Sequence, residues 1–123
     1  LAIGKTVWLQ DEALMNAVTA ISGSGPAYFF YLMDALEQAA IIGGLDKKTA
    51  RLLTIETALG AARLATETNE SPSSLRKRVT SPEGTTAAAM EVLDNNGAVG
   101  LIKKAALAAQ NRSRDLENPP SDE

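Results

Sequence analysis

The stretch Ser22-Gly23-Ser24-Gly25-Pro26-Ala27-Tyr28-Phe29-Phe30-Tyr31-Leu32-Met33-Asp34-Ala35-Leu36-Glu37-Gln38 decides the fold class. Gly23-Ser24-Gly25 breaks the helix before it. Pro26 is placed to open the next one, where an N–H would have no intrahelical partner. From Pro26 to about Ile42 the polar residues are Asp34, Glu37 and Gln38, spaced i, i+3 and i+4. Nearly everything else is apolar or aromatic. A helix apolar over most of its circumference has to be buried on more than one side. A chain of 123 residues offers few ways to surround such a helix. Either it is the centre of one compact bundle, or a second copy of the chain or a neighbouring domain covers it.

The elements on either side read as helices too. Asp11 can cap a first helix to about Ile21, with Leu14, Ala17, Val18 and Ile21 on one apolar face. Gly43-Gly44 ends the helix opened by Pro26, and Asp46 caps a third, Lys47 to Glu67. Leu52, Leu53, Ile55, Ala58, Leu59, Ala62 and Ala65 are its expected buried surface. Gly60 within it calls for a close helix crossing, because a mid-helix glycine costs about 1 kcal/mol relative to alanine. Ser71 or Pro72 opens a short fourth helix to Val79, a fifth ends at Asn95-Asn96-Gly97, and a sixth runs from about Ala98 to Leu116. That last helix is expected to bury Leu101, Ile102, Ala105, Ala106 and Ala109. Alanine, the best helix former, occupies 21 positions, and aromatics make up 4%. The expected class is all-α, with a possible strand remnant at Thr6 to Leu9.

Composition narrows the chemistry. There is no Cys and no His, which excludes disulfides, Cys-ligated metals, a Cys nucleophile and a Ser-His-Asp triad. No metal site is expected. The net charge of −3 disfavours nucleic acid and anionic membranes as partners. No apolar run reaches the roughly 18 to 20 residues of a membrane span. These features fit a cytoplasmic protein. Asp34 and Glu37 read as a solvated strip, as do Arg76-Lys77-Arg78, Lys103-Lys104 and the run Arg112 to Arg114.

Two loops could carry chemistry. Ser22-Gly23-Ser24-Gly25-Pro26 is either a tight helix–helix turn or a point of close backbone approach. It has no preceding strand and no Lys at phosphate-loop spacing. Thr80-Ser81-Pro82-Glu83-Gly84-Thr85-Thr86 leads into a helix whose first N–H groups have no intrahelical acceptor. Such an end can hold a small carboxylate or phosphate, or the threonines merely cap it. Glu83 counts against an anion site unless its carboxylate points outward.

Taken together, Ser22-Gly23-Ser24-Gly25-Pro26-Ala27-Tyr28 with Phe29-Phe30, and Val79-Thr80-Ser81-Pro82-Glu83-Gly84-Thr85-Thr86 with Leu93-Asp94, resemble the C-terminal domain of pyrroline-5-carboxylate reductase. Asp34-Ala35-Leu36, Gly60-Ala61-Ala62, Ala108-Ala109 and Arg112-Ser113 match as well. Gly4-Lys5-Thr6-Val7-Trp8-Leu9 resembles the link from that family's dinucleotide-binding domain. The resemblance implies a helical bundle forming an interlocked homodimer, like the C-terminal domain of 6-phosphogluconate-dehydrogenase-like reductases, with dimers building larger rings in some members. It implies reduction of the C=N bond of 1-pyrroline-5-carboxylate to L-proline with NADPH or NADH, in proline biosynthesis.

Carried over by position, Ser81, Gly84, Thr85 and Thr86 would bind substrate. Amides around Gly84, Thr85 and Thr86 would hold its carboxylate, and the Thr86 hydroxyl its ring nitrogen. Thr86 is thus the catalytic candidate, although too weak an acid to protonate the ring; solvent is the expected proton source. Val79 would approach the nicotinamide. Glu83 departs from the family pattern, in which this position is often glycine. By this reading residues 1–10 are a linker or strand remnant from an absent Rossmann domain, 11–117 the dimerisation and substrate-binding domain, and 118–123 a disordered tail. No strand–glycine-rich turn–helix unit occurs in the sequence, so the fragment alone is expected to be inactive. The alternatives are a self-association module without catalysis and the helical half of another NAD(P)-dependent reductase.

Overall fold

The computed structural model describes residues 14–119. The expected strand remnant, the Asp11 cap and the end of the tail lie outside them. Among the described residues every regular element is helical: α1 (Met15–Val18) continuing into a π turn (Thr19–Gly23), α2 (Gly25–Ile42), α3 (Lys47–Glu67), α4 (Pro72–Arg78), α5 (Thr85–Asn95) and α6 (Ala98–Glu117). They form two compact units. One takes the chain up to Tyr28 together with Gly97 onward, the other Phe29–Asn96.

In the first unit, α6 packs on α1 and the π turn. The expected regular helix to Ile21 is corrected here. The Ser24 amide donates to the Thr19 carbonyl, 2.9 Å away. Within this π turn Ala20 is buried at 2% exposure while Ile21 stands 64% exposed. The Tyr28 hydroxyl donates to the Ala20 carbonyl at 2.9 Å, satisfying an acceptor in the widened turn. Asn16 bridges to α6: its Nδ2 donates to Glu117 Oε2 at 3.2 Å, and its Oδ1 accepts from Ser113 Oγ at 2.8 Å.

In the second unit the expected boundaries hold closely. α2 ends in a Schellman motif, with the Leu45 amide on the Ala40 carbonyl (3.1 Å), the Gly44 amide on Ile41 (3.0 Å) and Gly44 at φ +105°. Asp46 caps α3, accepting from the Thr49 amide at 2.8 Å and its hydroxyl at 3.1 Å. These bonds hold the Asp46 carboxyl below its usual value of 3.8. Ser71 caps α4 through the Ser74 amide at 3.1 Å, with Pro72 in the first turn. The acidic strip is not simply solvated: Glu37 binds Arg51 of α3, and Gln38 Nε2 donates to Asp34 at 3.0 Å. Likewise Arg78 pairs with Glu70.

Among the described residues the expected buried faces of α3 and α6 are largely uncovered. Among the described residues the buried hydrophobic side chains are Ala20 in the first unit and Ala50 and Leu75 in the second, where Thr54 is also buried. Leu52, Leu53, Ile55 and Leu59 remain 41% to 58% exposed, and Leu101 and Ile102 more so. Among the described residues no group outside α3 lies within 4 Å of where a Cβ on Gly60 would stand, so they do not make the close crossing expected there. On α2, Phe29, Phe30 and Tyr31 are 64%, 66% and 81% exposed. The apolar excess on α2 that its sequence announces is thus a surface awaiting cover.

Candidate functional site

The loop from Val79 to Thr86 is fixed at both ends. At its start the Thr80 hydroxyl donates back to the Arg76 carbonyl at 2.6 Å, and the Thr80 amide to Lys77 at 3.2 Å. At its end Ser81-Pro82-Glu83-Gly84 closes a turn, with the Gly84 amide donating to the Ser81 carbonyl at 3.1 Å. Pro82 locks its own φ near −65°, and Glu83 sits at φ +61°; together they specify a type II turn, whose third position favours glycine. The unusual residue of the sequence is therefore the residue under backbone strain. Gly84 is needed for a different reason. Its φ of −84° suits any residue, but a Cβ there would come within 3.2 Å of the Ser81 carbonyl oxygen.

Gly84 then serves as the N-cap of α5 without a side-chain acceptor. Its carbonyl takes the Ala88 amide at 3.2 Å, which begins the helical ladder one turn in. Among the described residues nothing accepts from the amides of Thr85, Thr86 and Ala87. Either threonine could have supplied a cap from the preceding position; neither sits there. Three N–H groups converge at the positive end of an 11-residue helix, a setting for a carboxylate. Thr86 is half-buried, Thr85 and Ser81 are exposed, and Val79 presents an apolar surface 60% exposed at the end of α4. Val79 follows the last α4 residue and Thr86 is second in α5, so one short loop carries all five candidate residues.

The other loop is as short as one reading expected, with Ser24 alone between the π turn and α2. Ser22 to Gly25 lies at the end of the π turn, with Ser22 Oγ donating to the Val18 carbonyl at 2.9 Å. It belongs to the other unit. The Asn16, Ser113 and Glu117 cluster was not legible in the sequence, since Asn16 is about a hundred positions from the other two and each alone looks like a surface polar residue.

The family model described as pyrroline-5-carboxylate reductase dimerisation matches residues 12–116. A pyrroline-5-carboxylate reductase from Pseudomonas aeruginosa is 51% identical over 115 residues, covering 94% of this chain and 42% of that protein. One from Haemophilus influenzae is 47% identical over 117 residues, covering 94% and 43%. The solved structure of a pyrroline-5-carboxylate reductase from Coxiella burnetii superimposes with TM-score 0.89 at 49% identity, over 94% of this chain and 43% of that one. A Plasmodium falciparum pyrroline carboxylate reductase with NADP bound gives 0.80 at 29% identity, over 84% and 39%. The chain spans less than half the length of these relatives. On a match over 12–116, with relatives near half identity, the chain belongs to the pyrroline-5-carboxylate reductase dimerisation family.

Proposed function

We propose that this chain is the dimerisation and substrate-binding part of a reductase that converts 1-pyrroline-5-carboxylate to L-proline. The observation that carries the reading is the bare N-terminus of α5, where the free amides of Thr85 and Thr86 follow the Ser81–Gly84 turn. Family membership supplies the reaction. The substrate's carboxylate accepts from these amides, and Ser81 borders the same pocket. The Thr86 hydroxyl hydrogen-bonds the ring nitrogen and sets the ring's orientation. When bound, NADPH or NADH supplies the hydride to the imine carbon. The chain's share of that cofactor is small: the exposed apolar side chain of Val79 suits the nicotinamide face, whereas the described residues contain no strand for a phosphate-binding βαβ unit. The C=N bond becomes C–N as the carbon takes the hydride and the nitrogen carries a proton taken from water. No His or Cys is required, because a protonated imine needs positioning more than acid catalysis.

Two copies of the chain associate through the apolar faces of α2 and α3, whose aromatics and leucines are exposed among the described residues. Dimers assembling further into a ring, and a cytoplasmic setting, fit the same reading. Among the described residues no helix is long and apolar enough to cross a membrane.

The test joins this chain to the nucleotide-binding part of the Pseudomonas aeruginosa relative and measures steady-state reduction of 1-pyrroline-5-carboxylate. Turnover is expected from the chimera and not from the 123-residue chain alone. Thr86→Ala should lower kcat/KM by about tenfold or more, the size of one lost charge-relevant hydrogen bond. A chimera that folds, dimerises and binds NADPH without turnover would leave the self-association module as the better account.

A further inference from the structure

A cleft of about 380 Å³ opens in the first unit between the π turn and the last turns of α6, at the lower end of the size range of small-ligand sites. No residue of the Val79–Thr86 loop lines it. Its border carries both signs of charge, Arg112 and Glu117. Neither forms an ion pair among the described residues. Five positions apart on α6, they are offset by about 7.5 Å along the helix axis, and both line the cleft. Hydroxyls of Thr19, Ser24 and Ser113 complete the polar border, and Leu116 adds an apolar flank.

The surrounding bonds preset this border. Asn16 holds Glu117 by one carboxylate oxygen, Oε2, leaving Oε1 to accept again. Ser113 spends its proton on Asn16 and so fixes the Asn16 amide. Tyr28 pins the π turn through the Ala20 carbonyl, which keeps Thr19 and Ser24 on the rim. π turns of this kind recur at functional sites because they re-aim side chains that a regular helix would place elsewhere. A simple anion would be repelled by Glu117, and a simple cation by Arg112. A molecule carrying both charges a few ångströms apart satisfies each.

We propose that this cleft binds a small α-amino acid as its zwitterion. The carboxylate meets Arg112 and the hydroxyls of Thr19 and Ser24. The ammonium meets the free oxygen of Glu117, and the side chain lies toward Leu116.

The experiment titrates the 123-residue chain with L-alanine by calorimetry, with acetate and methylammonium in parallel. L-Alanine is expected to bind saturably, with Kd of about 1 mM, the strength of roughly two charge-assisted contacts offset by ordering. Neither half-molecule should bind at that concentration. Arg112→Gln and Glu117→Gln should each weaken binding about tenfold, and Arg112→Lys should restore part of the loss. Circular dichroism checks that each variant folds, and Ser24→Ala, expected to weaken binding severalfold, stands in for any that does not. Absence of saturable binding would overturn the proposal. So would acetate binding as well as L-alanine, undiminished binding in the variants, or binding that vanishes with Thr86→Ala and so belongs to the other loop.

Discussion

The Arg51 guanidinium donates two hydrogen bonds to the Glu37 carboxylate, Nη2 to Oε1 at 3.0 Å and Nε to Oε2 at 3.2 Å. This two-pronged pair ties α3 to α2 at the polar edge of an otherwise apolar helix. The hydrogen bonds, and then the attraction of the carboxylate, hold Arg51 protonated above its ordinary range. Arg51→Lys keeps the charge but loses the fork. It should lower the thermal unfolding midpoint relative to the parent chain, measured by circular dichroism, and Arg51→Ala should lower it further. High salt should narrow both differences, since the arginine end is exposed.

Asp46 gives the second unit an acid-sensitive point. Its carboxyl lies below 3.8 in the folded chain because the Thr49 amide and then the Thr49 hydroxyl donate to it. A depressed folded value means the stabilisation is present above the unfolded value and is lost as pH falls through the folded one. Between neutral pH and about pH 5 the contribution should stay constant. Below pH 3.8 it should decline, and in Asp46→Ala that component of the acid dependence should be missing. Urea melts at stepped pH measure it.

Glu83 occupies a backbone region, φ +61°, that glycine enters without penalty. Glu83→Gly should raise stability by about 1 kcal/mol, the usual penalty of a left-handed L-residue partly offset by added chain entropy. The same substitution removes a negative charge beside the proposed carboxylate site, so KM in the chimera should fall severalfold while kcat changes little. Gly84→Ala should do the opposite, lowering stability and raising KM, because its Cβ crowds the Ser81 carbonyl oxygen at 3.2 Å. Urea melts and steady-state kinetics check both.

Phe30 is 66% exposed on α2 and belongs to the face that a second copy is proposed to cover. Phe30→Glu places a charge in that interface, where it would be desolvated without a partner. Light scattering should show the parent chain as a dimer and the variant as predominantly monomeric. The unfolding midpoint should rise with protein concentration for the parent and lose that dependence in the variant.

The helices were legible because their signals are local. Asp46 before Lys47, Ser71 before Pro72, and Gly43-Gly44 after Ile42 each act within a turn, and α3 begins, α4 begins and α2 ends where they place them. The partner-seeking character of α2 was legible from its three polar residues alone. The π turn was not, since nothing in Thr19-Ala20-Ile21-Ser22-Gly23 distinguishes it from a regular turn until Tyr28 and α6 are in place. The apolar face of α3 was legible, but what covers it was not, because periodicity says which residues share a face and not which chain buries it. Of the candidate loop, sequence located the free helix end and marked Glu83 as out of place. The left-handed backbone that makes it so depends on the turn that Pro82 and the Ser81–Gly84 hydrogen bond impose.

The central claim is that the free amides of α5 grip the substrate's carboxylate. The most direct measurement follows the backbone amide resonances of Thr85, Thr86 and Ala87 in the chimera with NADPH removed and NADP⁺ bound, as L-proline is added. The account predicts saturable downfield shifts of these three, as hydrogen-bonded amides show, with smaller movements elsewhere. If L-proline binds and those three resonances stay where they were while others move, the carboxylate is held somewhere else and the account is contradicted.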